Sequence, residues 1–173
     1  MKNIILIGMM GCGKSTIGRM LAERISYQYI DMDTYLENKY HSTIPELFSI
    51  SELYFRDKET ECCKDMGHTD NKIISTGGGV ILREENMLYL KNNGLVFFID
   101  RPVEMIINEL NTDHRPLLKD GVFKLYDLEK ERRFLYEKYA DFIIRNDQLL
   151  IDARDKIISL YEKCEGANHE SGR

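Results

Sequence analysis

Residues 8–15 read Gly8-Met9-Met10-Gly11-Cys12-Gly13-Lys14-Ser15 and fill every fixed position of the phosphate-loop pattern G-x-x-x-x-G-K-[ST]. Before the loop, Asn3-Ile4-Ile5-Leu6-Ile7 is a short apolar run of the kind found in buried strands. After it, residues 16–25 carry helical spacing. Strand, glycine loop and helix form the context in which the pattern acquires a mechanism. Backbone N–H groups of the curled loop, with the helix N-terminus, make a cradle for phosphate oxygens. The side chain of Lys14 is expected to reach the β- and γ-phosphates, and the Ser15 hydroxyl to ligate Mg²⁺. A chance glycine turn with a surface lysine is the competing explanation, and the flanking elements argue against it. The expected ligand is a nucleoside triphosphate, with Gly11, Cys12, Gly13, Lys14, Ser15 and Thr16 as its loop contacts.

Outward from the loop, strand-like and helix-like segments alternate. Residues 27–31, 72–76, 95–99 and 142–144 read as four further strands. Helical spacing covers residues 34–40, 44–48, 51–66, 84–91, 123–139 and 153–163, and Pro102 opens one more helix. Short connections and nearly unbroken apolar strands predict an α/β fold with a five-stranded parallel sheet covered on both faces. In such sheets ligands bind at the carboxyl ends of the strands. The positions to inspect are therefore residues 8–15, Asp31 and Asp33, Gly77 to Gly79, and Asp100-Arg101.

The chain has 173 residues, 43% hydrophobic and 31% charged, which suits one domain with a substantial core. A net charge of −5 gives no global attraction to nucleic acid or an anionic membrane. Its four cysteines show no zinc or C-x-x-C spacing, so reduced thiols in the cytoplasm are expected. No apolar run has the length of a membrane span. Residues 166–173 are polar, without apolar spacing, and read as a disordered, frayed tail.

Several side-chain groups stand out. Asp31 and Asp33, one residue apart at a strand end, could hold a Mg²⁺-bound water and accept a proton from an alcohol. Alternatively, Asp33 simply caps the following helix. Arg56 and Glu59 share a helix face, so the carboxylate could fix the guanidinium for a bidentate substrate contact; spacing alone fits an ordinary surface ion pair better. Gly77-Gly78-Gly79 marks either a flexible turn or a close approach of backbone to ligand. Residues 114–121 have the composition of a loop carrying one arginine, Arg115, which suits either a closing lid or a solvated connection. The tyrosines and methionines read as core filler.

Taken in order, these residues resemble the shikimate kinase family over residues 3–163: the phosphate loop, Asp31-x-Asp33, Phe55-Arg56-x-x-Glu59, the triple glycine, Arg115-Pro116-Leu117-Leu118, and Arg132 before Leu135-Tyr136. The resemblance implies a three-layer P-loop kinase fold like that of the nucleoside monophosphate kinases. One domain would span residues 1–165, with a helical substrate-binding subdomain at about 33–62 and a mobile lid at about 111–124. It implies transfer of the γ-phosphate of ATP to the 3-hydroxyl of shikimate, with Mg²⁺, in chorismate and aromatic amino-acid synthesis. By motif match, Lys14, Asp33 and Arg115 would be catalytic, with Arg115 also on the nucleotide, and Asp31 would help hold Mg²⁺ through water. Arg56, Arg132, Gly78 and Gly79 would join Asp33 around shikimate. The expected enzyme is a cytoplasmic monomer with a small-molecule substrate and no nucleic-acid or membrane partner.

The chain departs from the family pattern in three places. Ile106-Ile107-Asn108-Glu109 stands where the family often has an arginine near adenine, and Phe134 where it has proline. Residues 145–153 form a short segment, with Arg145 and Arg154 as candidate adenine contacts. Two other functions compete on these residues alone: another small-metabolite kinase, of gluconate or nucleotide type, and a nucleotide-dependent regulatory switch.

Overall fold

The computed structural model describes the backbone of residues 1–112 and 119–170, and their side chains except at 110–112, 119–120 and 167–170. Strand β1 (Asn3–Ile7) is buried along its whole length, as its unbroken apolar run requires. It pairs in parallel with β3 (Lys72–Ser75) on one side and β4 (Gly94–Asp100) on the other. The edge strands β2 (Gln28–Asp31) and β5 (Phe142–Arg145) complete a parallel sheet of order β2-β3-β1-β4-β5. In register, Ile5 lies between Ile74 and Val96, all three fully buried. Each such side chain removed from water contributes about 1.5–3 kcal/mol.

Helices α1 (Lys14–Ile25), α5 (Glu84–Asn92), α6 (Val103–Thr112), α7 (Lys119–Tyr139) and α8 (Leu150–Glu170) follow or precede these strands. Between β2 and β3 the chain inserts α2 (Met32–Tyr40), α3 (Ile44–Ile50) and α4 (Glu52–Met66). A capping box of Thr43 and Glu46 starts α3, and the Ser51 hydroxyl accepts from Tyr54 N to start α4. The strand order reverses around β1, so the loop after β1 opens into the crevice where parallel sheets bind ligands.

One detail differs from the sequence expectations. Helix α8 runs through Gly166 to Glu170, so the tail expected from residue 166 is helical at least that far. Glu165, nearly buried, accepts from the Lys2 backbone N–H and ties this last stretch to the chain just before β1. Helix α7 continues unbroken through Phe134, which points largely into solvent. Finally, Arg115 and the neighbouring part of the expected lid lie outside the described residues.

Candidate active site

The phosphate loop leaves β1 and enters α1 through Gly13, whose φ of 101° lies in the left-handed region where a side chain is strained. A Cβ there would also meet Asn146 Nδ2 at 3.0 Å. That amide donates to the Cys12 carbonyl at 2.8 Å and so ties the loop to the end of β5. The Cys12 side chain is buried beneath the loop, and its Sγ accepts from Lys14 Nζ at 3.7 Å. Nζ of Lys14 donates to the Gly8 and Met9 carbonyls, each at 2.8 Å. Among the described residues this nearly buried ammonium has no carboxylate partner. A cation held only by neutral acceptors is poised to meet a polyanion.

On one side of the loop, Gly11, Gly13, Lys14, Ser15 and Thr16 line a cavity of about 270 Å³ together with Arg101, Ile106, Glu109 and Leu150. Five of the loop residues expected to touch the nucleotide are thus on one wall. Arg145 and Arg154 are not in that lining. Arg145 pairs with Asp147 and Asp100, and Arg154 with its neighbour Asp155.

Asp31 takes the capping role that the sequence offers only as an alternative for Asp33. Its Oδ1 accepts from Asp33 N at 3.1 Å and Thr34 N at 3.2 Å, making Asp31, not Asp33, the N-cap of α2. Its other oxygen accepts from Ser15 Oγ at 3.3 Å and Tyr29 OH at 3.2 Å. A hydroxyl and a carboxylate side by side at the mouth of a phosphate cradle are hard oxygen donors of the kind Mg²⁺ takes, with phosphates and water completing its shell. The residues present therefore fit the ion.

Asp33, released from capping, faces a second cavity of about 330 Å³ whose lining includes Met9, Met10, Arg56, Glu59, Gly77, Gly78, Gly79, Lys124 and Arg132. Its carboxylate is reachable from solvent through the cavity but sunk in a concave wall. Desolvation, and then the charge of Asp31, push its pKa above the usual carboxylate range, with Lys14 pulling the other way. The two aspartates therefore divide the work between a cap and an open carboxylate.

Arg56 is the most constrained group in this cavity. Its Nη1 donates to Glu59 Oε2 at 2.8 Å and its Nη2 to Glu52 Oε1 at 3.4 Å. The guanidinium carbon lies 5.1 Å from the Phe55 ring centre and 5.8 Å from that of Phe48. Glu59 is only 3% exposed, and burial raises its pKa despite the arginine. The sequence-level choice between a surface pair and a fixed guanidinium is thus resolved for the fixed one. Gly79 makes the room: a Cβ there would lie 2.5 Å from Arg56 Nη1 and 2.6 Å from Nη2.

Two features of this wall were not foreseen. Tyr136, fully buried and stacked on Phe98, donates to the Gly78 carbonyl at 2.6 Å and pins the glycine turn from α7. Its position one helical turn after Arg132 is the signal that could have shown a role beyond core filling. Lys124, also on α7, adds a cation to the rim. In sum, Asp33, Arg56, Gly78, Gly79 and Arg132 share one cavity, the loop residues share the other, and Arg115 lies outside the described residues.

The family model for shikimate kinase matches residues 10–162. The chain belongs to the shikimate kinase family. A shikimate kinase of Clostridium botulinum (strain Eklund 17B / Type B) is 52% identical over 147 residues, covering 84% of this chain and 89% of that one. A second, from Clostridium botulinum (strain Alaska E43 / Type E3), is 49% identical over 158 residues, 91% of this chain and 96% of its own length. The solved shikimate kinase of Acinetobacter baumannii in complex with shikimate superposes with a TM-score of 0.83 at 34% identity, covering 96% of this chain and 94% of that one. Shikimate kinases use ATP as substrate, which matches the phosphate loop described above. No helix among the described residues is long and apolar enough to cross a membrane.

Proposed function

We propose that this chain transfers the γ-phosphate of ATP to the 3-hydroxyl of shikimate, giving shikimate 3-phosphate and ADP for aromatic biosynthesis. The observation that carries the reading is the pair of cavities that meet at the phosphate loop: a nucleotide cradle on one side, and on the other a pocket of two arginines and one open carboxylate. Shikimate is a small polyhydroxy acid, and that pocket offers the complementary groups.

In this mechanism Arg56 and Arg132 clamp the substrate carboxylate, Arg56 with an edge already oriented by Glu59. Asp33 accepts hydrogen bonds from the ring hydroxyls and takes the proton of the attacking one. Gly78 and Gly79 contribute backbone N–H donors. Lys14 leaves its loop carbonyls to follow the charge on the transferring phosphoryl group. Ser15 would hold Mg²⁺ directly and Asp31 through water; when bound, that ion neutralises phosphate charge. Arg115 would be delivered by a lid over residues 111–124, and residues 33–62 would form the substrate-binding subdomain. Catalysis is then positioning and charge stabilisation, with no covalent work for the protein. The working form is a cytoplasmic monomer.

A coupled ADP-release assay with ATP and Mg²⁺, run against shikimate, gluconate and nucleoside monophosphates, tests the reading. Turnover with shikimate alone is expected. Turnover with one of the other acceptors and none with shikimate would overturn it.

A further inference from the structure

Among the described residues only two buried side-chain nitrogen or oxygen atoms lack a hydrogen-bond partner: Arg56 Nε and Arg101 Nε. A buried N–H without a partner costs free energy, so such a group in a native fold calls for an explanation. Arg56 has one in the acceptor pocket. Arg101 lies in the other cavity, at the carboxyl end of β4, and has no place in the mechanism above.

Its surroundings define what it suits. The cavity has a phosphate end, made of the loop backbone and Lys14. The rest of its lining is Arg101, Ile106, Glu109 and Leu150. Two apolar side chains and one planar cation make a poor extension of a phosphate cradle and a good seat for a flat heteroaromatic ring. Guanidinium faces attract π-systems, its N–H edge donates to ring nitrogens or ribose oxygens, and branched aliphatic walls exclude water. The cation is also pre-set: its side chain is only 16% exposed and ion-paired to Glu109 two turns along α6.

We propose that Arg101 is a nucleotide-binding residue that holds the nucleoside end of ATP, with Glu109 as the positioning residue that orients it. The inference rests on the nucleotide reading of this cavity and goes beyond it by assigning the nucleoside contact to the end of β4. Arginines at the end of β5 and in α8 are engaged elsewhere, with Asp100 and Asp147 for Arg145 and with Asp155 for Arg154.

The test is calorimetric titration of ADP and of pyrophosphate, each with Mg²⁺, into the full chain and its Arg101→Ala and Arg101→Lys variants, after thermal melting shows each variant folded. Arg101→Ala is expected to weaken ADP by about tenfold and leave pyrophosphate unchanged. Arg101→Lys keeps the charge but not the planar fork, and should recover only part of that loss. In steady state the KM for ATP should rise while that for shikimate stays the same. Unchanged ADP affinity in both variants, or an equal loss for pyrophosphate, would overturn the assignment. Because ADP binding is read without any acceptor, a failure of shikimate turnover would be distinguishable from a failure here.

Discussion

Arg56 and Arg101 share one chemical oddity, a buried Nε without a partner among the described residues, yet their settings differ. Arg56 is braced by two carboxylates and two aromatic rings in a pocket whose other working groups are charged side chains and the glycine-turn backbone. Arg101 is held by one carboxylate in a cavity whose remaining grip comes from loop backbone and two aliphatic walls. The contrast teaches where selectivity resides. A small hydroxy acid must be chosen by a few oriented charges, so the acceptor side is built from side chains that substitution can break. A triphosphate is gripped by many backbone dipoles, so single side chains beyond Lys14 should tune affinity more than decide it.

The sharpest way to break this comparison is at Asp33. Asp33→Asn is expected to lower kcat by about 10²–10⁴-fold, with the KM for ATP little changed. The pH profile adds a sign. Desolvation and Asp31 raise the Asp33 pKa, and the base must be ionised, so kcat/KM for shikimate should fall on the acid side through a pKa above the usual carboxylate range. The variant should lose that limb. Stability runs the other way. A raised folded pKa favours the neutral form, whose contribution is present below the unfolded pKa and lost as pH rises through the folded one. Asp33→Asn should therefore melt no lower than the parent at neutral pH. A lower melting temperature there would contradict this.

Next comes Arg56. Removing it outright leaves Glu59 buried without its hydrogen-bonded cation, which costs about 3–5 kcal/mol unless Glu59 takes up a proton. Arg56→Lys keeps a charge there but cannot make the bidentate pair, and should raise the KM for shikimate by about tenfold with that for ATP unchanged. Equal changes in both KM values would erase the division between the cavities. A smaller effect is expected at Gly79, whose added Cβ pushes on the guanidinium without removing it. Gly79→Ala should raise the KM for shikimate by a few-fold, an effect of about 1 kcal/mol. No change would mean that Arg56 is free to step aside.

How much of this was legible in the residues follows the same division. The phosphate loop is readable because its fixed glycines, lysine and serine are the mechanism itself. The acceptor residues are readable only in combination, since Arg56 and Glu59 by spacing are an ordinary helix pair. Asp31 was not foreseen as the cap, because the start of α2 one residue after it is not marked in the sequence. Arg101 passed as one member of a strand-end list, since nothing in sequence shows that a cation before a proline is buried without a partner. The helical stretch past residue 163 was missed because its anchor, Glu165 on the Lys2 backbone, is a contact 163 residues apart in the chain.

The central claim is that Arg56 reads the acceptor's carboxylate. A ligand–protein cycle tests it most directly: calorimetric titration of shikimate and its uncharged methyl ester into a Glu59→Gln protein and into the same protein carrying Arg56→Ala, so that no buried carboxylate is stranded. The account predicts that shikimate is preferred over the ester by about tenfold or more when Arg56 is present and that most of this preference vanishes without it. The same preference in both proteins would contradict it.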